Sequence, residues 1–252
     1  MSELRALLFD VDGTLAETEE VHRVAFNTAF AEAGLDWVWS VDLYRELLAV
    51  TGGKERIRHY LDNYRPDFAR PANFAEFIAG LHQAKTRIYT DTVAAGGVPL
   101  RPGVRRLLEQ ARAAGLRLGI ATTTTPDNVT ALLNASLAPE GEAWFEVIAA
   151  GSMVPKKKPA PDIYHFAMEQ MGLGPEACLA FEDSENGLIA ARAAGLKTLV
   201  TVSDYTQGHD FSGAALLLDH FGEPDAPFRV LAGDAGEARY VDIDLLKRLH
   251  AN

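Results

Sequence analysis

Short apolar runs that each end in polar residues alternate with helical patterns along this chain, and this alternation constrains its fold most. Four such runs are too short for helices and are typical of buried strands, at residues 5–9, 116–121, 178–181 and 197–202. Helical patterns separate them, at residues 104–114, 127–137, 161–171 and 186–194, and glycines that commonly end helices follow three of these, at Gly115, Gly172 and Gly195. Strands that alternate with helices predict an α/β fold, a Rossmann-like parallel sheet with helices on both faces. In the tail we predict only a strand at 216–218 and a helix from Ile243.

Residues 17–96 interrupt this alternation, because they contain long helical patterns and no convincing strand. The helical patterns lie at residues 19–33, 54–63 and 74–92. We therefore predict a helical cap domain at 17–96, inserted into a core formed by 1–16 and 97–252. The turn-rich segment 96–103 is the predicted return path beside the outgoing residues 15–18, and two adjacent linkers of this kind form a hinge.

The charge of the chain excludes some classes of partner. The chain has 24 Lys and Arg residues against 35 Asp and Glu, a formal net charge of -11, which repels nucleic acids and anionic lipid surfaces. We therefore expect no nucleic-acid or membrane partner, and an anionic substrate would require locally gathered cations. The sequence leaves the oligomeric state open and is compatible with a monomer.

Cysteine content and the N-terminus indicate the compartment. Cys178 is the only cysteine, so an intrachain disulfide is impossible, and its position inside a predicted strand favours a packing role. The N-terminus lacks the pattern of a signal peptide, and no apolar stretch approaches the ~20 residues that cross a bilayer. These features predict a cytoplasmic protein.

Acidic and other polar residues follow the predicted strands at the positions where open parallel sheets bind ligands. These residues are Asp10, Asp12, Thr122, Glu182 and Asp183, and Lys158 precedes a helix. This set of residue types is typical of metal-assisted phosphoryl transfer. We expect the carboxylates of Asp10 and Asp183 and the main-chain carbonyl of Asp12 to bind Mg²⁺. Glu182 would either complete this set of ligands or contact the ligands from behind.

The same residues predict a two-step mechanism. Asp10 would be the nucleophile that takes the phosphoryl group, and Asp12, two residues further on, would be the acid and then the base. Lys158 would neutralise a phosphoryl oxygen, and Thr122 would donate a hydrogen bond to another. Gly13 would allow the tight backbone turn that Asp12 requires to reach the leaving oxygen.

Four segments together resemble the signatures of the haloacid dehalogenase superfamily in type, order and separation. They are Asp10-Val11-Asp12-Gly13-Thr14, Ala121-Thr122, Lys158-Pro159-Ala160-Pro161-Asp162 and Phe181-Glu182-Asp183-Ser184. The helical insertion resembles the cap of the β-phosphoglucomutase and phosphoglycolate phosphatase branch. The segment Thr51-Gly52-Gly53-Lys54-Glu55-Arg56 and the threonine run at 122–125 are similar to CbbY-type phosphatases.

This resemblance implies a Mg²⁺-dependent phosphatase associated with the Calvin cycle, whose substrate is xylulose 1,5-bisphosphate, a misfire product that inhibits Rubisco. Catalytic roles are implied for Asp10, Asp12, Thr122, Lys158, Glu182 and Asp183. Substrate contacts are implied at Glu17, His22, Gly52, Gly53, Lys54, Thr122, Thr123 and Lys158. The sequence departs from many relatives at two places. Glu17 stands where they have Asp, and Thr124-Thr125-Pro126 replaces a Ser-rich or Ser-Lys segment.

Other interpretations of these motifs remain open at the level of sequence. Lys156 and Lys157 are more typical of a solvated charge run, residues 182–184 also suit the N-terminal cap of a helix, and His22 could equally be a partly exposed surface residue. Phosphoglycolate phosphatase and a β-phosphoglucomutase-like phosphomutase are the alternative functions, because the motifs do not separate them. Phospho-acceptor receiver domains share an aspartyl-phosphate but are much shorter and carry no cap.

Overall fold

The computed structural model of the chain describes residues 3–96, 98–137, 141–151 and 153–251. The predicted boundary residue Gly97 lies outside these ranges. The described residues include a seven-stranded sheet. Its strands are β1 (Ala6–Phe9), β2 (Arg117–Ala121), β3 (Val147–Ala149), β4 (Cys178–Glu182), β5 (Lys197–Thr201), β6 (Leu216–Leu218) and β7 (Val230–Gly233).

The strand order is β3-β2-β1-β4-β5-β6-β7, and every neighbouring pair is parallel except β6 and β7. The described helices are α1 (Glu19–Glu32), α2 (Val41–Leu47), α3 (Gly53–Asn63), α4 (Phe74–Ala94), α5 (Val104–Ala113), α6 (Pro126–Ser136), α7 (Asp162–Met171), α8 (Glu185–Ala193) and α9 (Ile243–Ala251). The predicted α/β class is confirmed, as are the strand at 216–218 and the helix from Ile243. None of the helices in the described ranges is long and apolar enough to cross a membrane.

The two faces of the sheet bury separate apolar clusters. Successive residues of a strand point to opposite faces, and in β1 Leu7 joins one cluster while Leu8 joins the other. Helices α5 and α9 pack on the face that contains Leu7, and α7 and α8 pack on the face that contains Leu8. Cys178 is buried in this second cluster, which confirms its packing role.

Helices α1 to α4 enclose a third apolar cluster that is rich in aromatic residues. Phe30 packs edge-on against Trp37 with ring centroids 5.2 Å apart, and Trp39 lies 5.9 Å from Tyr44. The side chain of Asn27 fixes the backbone of Trp39, because it accepts a hydrogen bond from the Trp39 amide and donates one to the Trp39 carbonyl. Where the chain leaves and re-enters the sheet region, Ala16 and Leu100 form an antiparallel bridge.

Of the α-helices and strands in the described ranges, the sequence patterns did not predict α2, β3 and β7. Helix α2 has seven residues and β3 has three, so neither spans enough residues to show a period. All four residues of β7 are exposed at the edge of the sheet, and although they are apolar, four residues are too few to show a period.

Candidate active site

The end of β1 places Asp10 beside the end of β4. The Asp10 amide donates a hydrogen bond of 3.0 Å to the carbonyl of Phe181, so Asp10 meets Glu182 and Asp183 at the same edge of the sheet. Gly13 closes the loop with φ +78°, and an added Cβ there would lie only 2.0 Å from the Asp183 carboxylate. A residue with a side chain would therefore be strained at this position and would also displace Asp183.

Lys158 binds the carboxylates of Asp10 and Glu182. Its Nζ lies 2.7 Å from Oδ1 of Asp10 and 2.6 Å from Oε1 of Glu182, and only 4% of its surface is exposed. The Tyr164 hydroxyl donates to the same Glu182 oxygen. Burial alone would lower the pKa of Lys158, but Asp10 and Glu182 outweigh it and raise that pKa, so the ammonium stays charged.

The carboxylates of Asp10, Glu182 and Asp183 are crowded enough to bind a cation. One oxygen from each lies within 4.8 Å of the others, and all three residues are buried. Burial, with Glu182 and Asp12 nearby, raises the pKa of Asp10 to about 8 despite Lys158. Burial, with Asp10 and Glu182 nearby, raises the pKa of Asp183 as well. A divalent cation would relieve this repulsion, and buried carboxylate oxygens are the ligands that Mg²⁺ prefers. The residues therefore fit a magnesium ion.

Asp12 faces a different set of partners, on helices α1 and α4 and at Thr18, the N-terminal cap of α1. Its Oδ1 accepts hydrogen bonds from the Thr18 hydroxyl and from Nε2 of His22 at 2.9 Å, while Nδ1 of His22 lies 2.6 Å from Nζ of Lys85. Tyr89 stacks on the His22 ring with centroids 4.1 Å apart. Burial would raise the pKa of Asp12, but His22, Thr18 and Lys85 lower it to about 2.

The structure corrects one interpretation of His22 and adds Lys85. His22 is 5% exposed, so it is not a partly exposed surface residue. The sequence analysis did not predict a role for Lys85. Its spacing was a usable signal, because Lys85 lies in the buried stripe of α4 with Ile78, Leu81 and Tyr89. A lysine in an otherwise apolar helical stripe is rarely buried without a partner. Burial lowers the pKa of Lys85 to about 7, with Asp12 opposing.

A cavity of about 530 Å³ lies between the sheet edge and helices α1, α3 and α4. Most of the predicted site residues line it, namely Asp10, Asp12, His22, Gly52, Gly53, Lys54, Thr122, Thr123, Lys158 and Asp183. Glu182 does not line the cavity but lies behind Lys158. Thr122 follows β2, and its amide donates to the carbonyl of Ala149 at 2.9 Å. The structure thus brings together side chains from the sheet edge and from the helical segment α1–α4.

Glu17 is an exception and requires a correction. It is absent from the lining of the cavity, and its Oε1 instead lies 3.0 Å from Nε of Arg101. Arg101 is buried and donates further hydrogen bonds to the carbonyls of Gly13, Val202 and Asp219. Since this guanidinium holds Glu17 at the linker, the structure does not support the substrate contact predicted for Glu17.

Lys157 requires a second correction. It lines the cavity, and its Nζ forms an ion pair of 2.8 Å with Oε2 of Glu55 on α3, so it is not part of a solvated charge run. Nothing in the local pattern distinguishes Lys157 from Lys156, which is exposed. Ser184 does cap α8, as the alternative interpretation of residues 182–184 predicted, because its hydroxyl accepts a hydrogen bond from the Gly187 amide.

A comparison of the sequence with protein families agrees with this fold and with this arrangement of three carboxylates and a lysine. Residues 4–195 match the model of the haloacid dehalogenase-like hydrolases. The chain belongs to this family of hydrolases.

Among individual proteins, the chain is similar to CbbY from Rhodobacter capsulatus, with 56% identity over 84% of this chain and 91% of that protein. It is also similar to the plasmid-encoded CbbY of Cupriavidus necator, with 49% identity over 98% of this chain and 97% of the relative. A crystal structure of a mutant CbbY from Rhodobacter sphaeroides in complex with xylulose-(1,5)bisphosphate has a TM-score of 0.81 and 48% identity, covering 86% of this chain and 94% of that one. These matches confirm the resemblance to CbbY-type phosphatases and the predicted enzyme class, a phosphoric monoester hydrolase.

Proposed function

We propose that this protein is a Mg²⁺-dependent sugar phosphate phosphatase that forms an aspartyl-phosphate on Asp10 and dephosphorylates xylulose 1,5-bisphosphate. The observation that carries the proposal is the pairing of Asp10 with Lys158 at 2.7 Å, beside Asp183 and at the wall of a cavity that Asp12 also lines. The nucleophile, a charge-neutralising cation and an acid–base carboxyl thus meet at one place. We further propose a cytoplasmic location and a role associated with the Calvin cycle.

The ligands proposed for Mg²⁺ are the carboxylates of Asp10 and Asp183 and the main-chain carbonyl of Asp12. Glu182 supports this set through Lys158, which its Oε1 binds, and its other oxygen is buried without a hydrogen-bond partner among the described residues. A bound Mg²⁺ would neutralise charge on the phosphoryl oxygens. Ser203 orients Asp183 by donating a hydrogen bond of 2.9 Å to its Oδ2.

In the first step, Asp10 attacks phosphorus, and the bond between phosphorus and the sugar oxygen breaks. Asp12 gives its proton to that leaving oxygen. In the second step, Asp12 takes a proton from a water molecule that attacks the aspartyl-phosphate, which releases phosphate and restores Asp10. Lys158 and Thr122 hold the phosphoryl oxygens throughout.

The two roles of Asp12 require opposite protonation states. Its pKa of about 2 keeps Asp12 ionised, which is the protonation state that the second step requires, because His22, Thr18 and Lys85 stabilise the carboxylate. For the first step its pKa must rise, and the phosphate anion that enters beside it supplies a like charge that acts in this direction.

We propose that residues 17–96 act as a cap domain over a core of residues 1–16 and 97–252, with His22 and Lys54 as the cap residues that position the substrate. The cavity supports this proposal, because the helical segment contributes one wall and the sheet edge the other. The complex of the Rhodobacter sphaeroides relative with xylulose-(1,5)bisphosphate supports a sugar bisphosphate as the substrate.

A phosphate-release screen over sugar mono- and bisphosphates and phosphoglycolate, with Mg²⁺ or with EDTA, tests this function. We expect the highest kcat/KM for xylulose 1,5-bisphosphate and no release in EDTA. Highest activity on phosphoglycolate would refute the substrate. An isomerised sugar phosphate without phosphate release would show a mutase instead.

Replacement of the nucleophile tests the intermediate. Asp10→Asn should lose at least about 10⁴-fold in kcat, because an amide cannot accept the phosphoryl group, while the exposed Asp225→Asn should retain wild-type turnover. Acid quench of the wild type during turnover, followed by peptide mapping, should place the label on Asp10. A label elsewhere would contradict the mechanism.

A further inference from the structure

Arg101 lies between helices α4 and α5, and only 7% of its side chain is exposed. Its Nη1 donates a hydrogen bond to the Gly13 carbonyl and another, of 3.0 Å, to Oγ1 of Thr201. Its Nη2 donates to the carbonyls of Val202 and Asp219, each at 2.7 Å. One planar group therefore joins the loop after β1 to the end of β5 and to the residue after β6.

Two of the backbone segments that Arg101 joins also hold the carboxylate of Asp183. An added Cβ on Gly13 would lie 2.0 Å from Oδ2 of Asp183, so the backbone of Gly13 packs directly against this carboxylate. Ser203, the residue after Val202, donates a hydrogen bond of 2.9 Å to the same Oδ2. Asp183 is thus held between two segments, and Arg101 binds a carbonyl in each of them.

The loop after β1 also carries the main-chain carbonyl of Asp12. This carbonyl belongs to the peptide bond between Asp12 and Gly13, so any movement of Gly13 moves it as well. Gly13 has no side chain that could anchor the loop, and the bond from Arg101 to its carbonyl supplies such a restraint. Asp12 and Asp183 are ligands of Mg²⁺ under the proposed function, and the inference rests on that function for the identity of the metal.

We propose that Arg101 is a positioning residue for the metal ligands, and that it fixes the Asp12 carbonyl relative to the Asp183 carboxylate by joining their two segments. A guanidinium suits this task because its N–H donors form a rigid planar fork, whereas the ammonium of lysine is a compact charge on a flexible stem. Ligands that are already held in place bind a metal more tightly, and loss of such support typically lowers metal affinity about 10- to 100-fold.

Mn²⁺ binding tests this role without turnover. Mn²⁺ prefers the same carboxylate and carbonyl ligands as Mg²⁺, and electron paramagnetic resonance measures the free ion during a titration of the protein. Arg101→Met should weaken Mn²⁺ binding about 10- to 100-fold. Wild-type affinity for Mn²⁺ in folded Arg101→Met would overturn the proposal.

Arg106→Met is the matched control for a general loss of stability. Nε of Arg106 lies 2.9 Å from Oε2 of Glu223, and its other nitrogens donate to the carbonyls of Gly222 and Val241. These partners lie in the tail after β6 and not in the segments that hold the metal ligands. We expect Arg106→Met to keep Mn²⁺ affinity within about twofold of the wild type. If it loses as much affinity as Arg101→Met, the positioning role is refuted.

Two milder changes serve if Arg101→Met does not fold. Arg101→Lys keeps the charge but not the fork, and it should weaken Mn²⁺ binding about 3- to 10-fold. Ser203→Ala should weaken it by a similar factor. In the double variant the combined loss should be smaller than the product of the two losses, because both changes free the carboxylate of Asp183. Losses that multiply in full, or wild-type affinity in Arg101→Lys, would contradict the proposal.

The titrations also separate this inference from the proposed function. If the wild type binds Mn²⁺ and Arg101→Met weakens that binding, but no sugar phosphate is hydrolysed, the positioning role stands and the proposed function fails. If the wild type releases phosphate only with Mg²⁺ and Arg101→Met keeps full Mn²⁺ affinity, the positioning role fails alone. A wild type that binds no Mn²⁺ would remove both.

Discussion

The two ends of the cavity differ in how their charges are matched. At the sheet end, Lys158 lies within 2.7 Å of both Asp10 and Glu182 and is buried, so each charge is held in one position. At the helix end, Lys157 pairs with the half-exposed carboxylate of Glu55, and Lys54 has no anionic partner at hydrogen-bonding distance in the described part of the chain. A fixed network suits bond cleavage, which requires groups placed before the reaction, whereas an unmatched group of cations suits recognition of an incoming anion.

The energetic consequences of the two arrangements also differ. Removal of one partner from a buried ion pair leaves an uncompensated charge and costs about 3–5 kcal/mol. An exposed pair contributes only about 0–1 kcal/mol, so variants at the helix end should fold normally and report on binding. Variants at the sheet end change folding and chemistry together, and they require a stability control.

After Asp10, the largest effect is expected for Asp12, which follows β1 and binds His22 on α1. Asp12→Asn should lower kcat by about 10²–10⁴-fold, the usual contribution of a general acid–base group. With p-nitrophenyl phosphate, whose leaving group needs no proton, a burst of nitrophenol should precede slow turnover, because only the second step then requires Asp12. Steady-state and rapid-mixing kinetics measure both quantities, and a variant without a burst whose turnover matches the wild type would remove Asp12 from the mechanism.

The next effect concerns Arg101, which joins the linker to the loop of the sheet end. Arg101→Met should destabilise the protein by about 3 kcal/mol, because several buried carbonyls lose their donor and Glu17 loses its partner. Urea unfolding monitored by circular dichroism measures this change. The exposed Arg70→Met is the control, with an expected change below about 1 kcal/mol. Equal stability of the two variants would show that the linker is not anchored by Arg101.

A further effect is a dependence of stability on pH at the sheet end without metal. The pKa of Asp10 rises from 3.8 to about 8 on folding, so its contribution to stability is complete below pH 4 and is lost as the pH rises through 8. In EDTA, Asp10→Asn should therefore gain stability over the wild type as the pH rises from 5 to 8, and Mg²⁺ should reduce that gain. Thermal unfolding at several pH values measures the difference in stability between Asp10→Asn and the wild type. A difference that does not change with pH would show that the neighbours of Asp10 do not raise its pKa.

Much of the sheet end could be predicted from local patterns. Asp10 and Asp183 follow apolar runs that become β1 and β4, and adjacent parallel strands bring their carboxyl ends together whatever the rest of the chain does. The helix end could not be predicted in the same way. Lys157 meets Glu55 across 102 residues and Lys85 meets His22 across 63, and a helical or loop pattern specifies the charge of a residue but not its distant partner.

The sequence by itself determined the α/β class, most strands and helices, and the acidic residues at the strand ends, because periodicity and strand polarity act over a few neighbouring residues. The tertiary structure alone decided that Glu17 binds Arg101 rather than lining the cavity, that His22 and Lys85 reach Asp12, and that Lys157 turns toward α3. These contacts depend on how the helices of 17–96 pack over the sheet edge. Packing of this kind is set by side-chain shape across the whole fold, which no local pattern records.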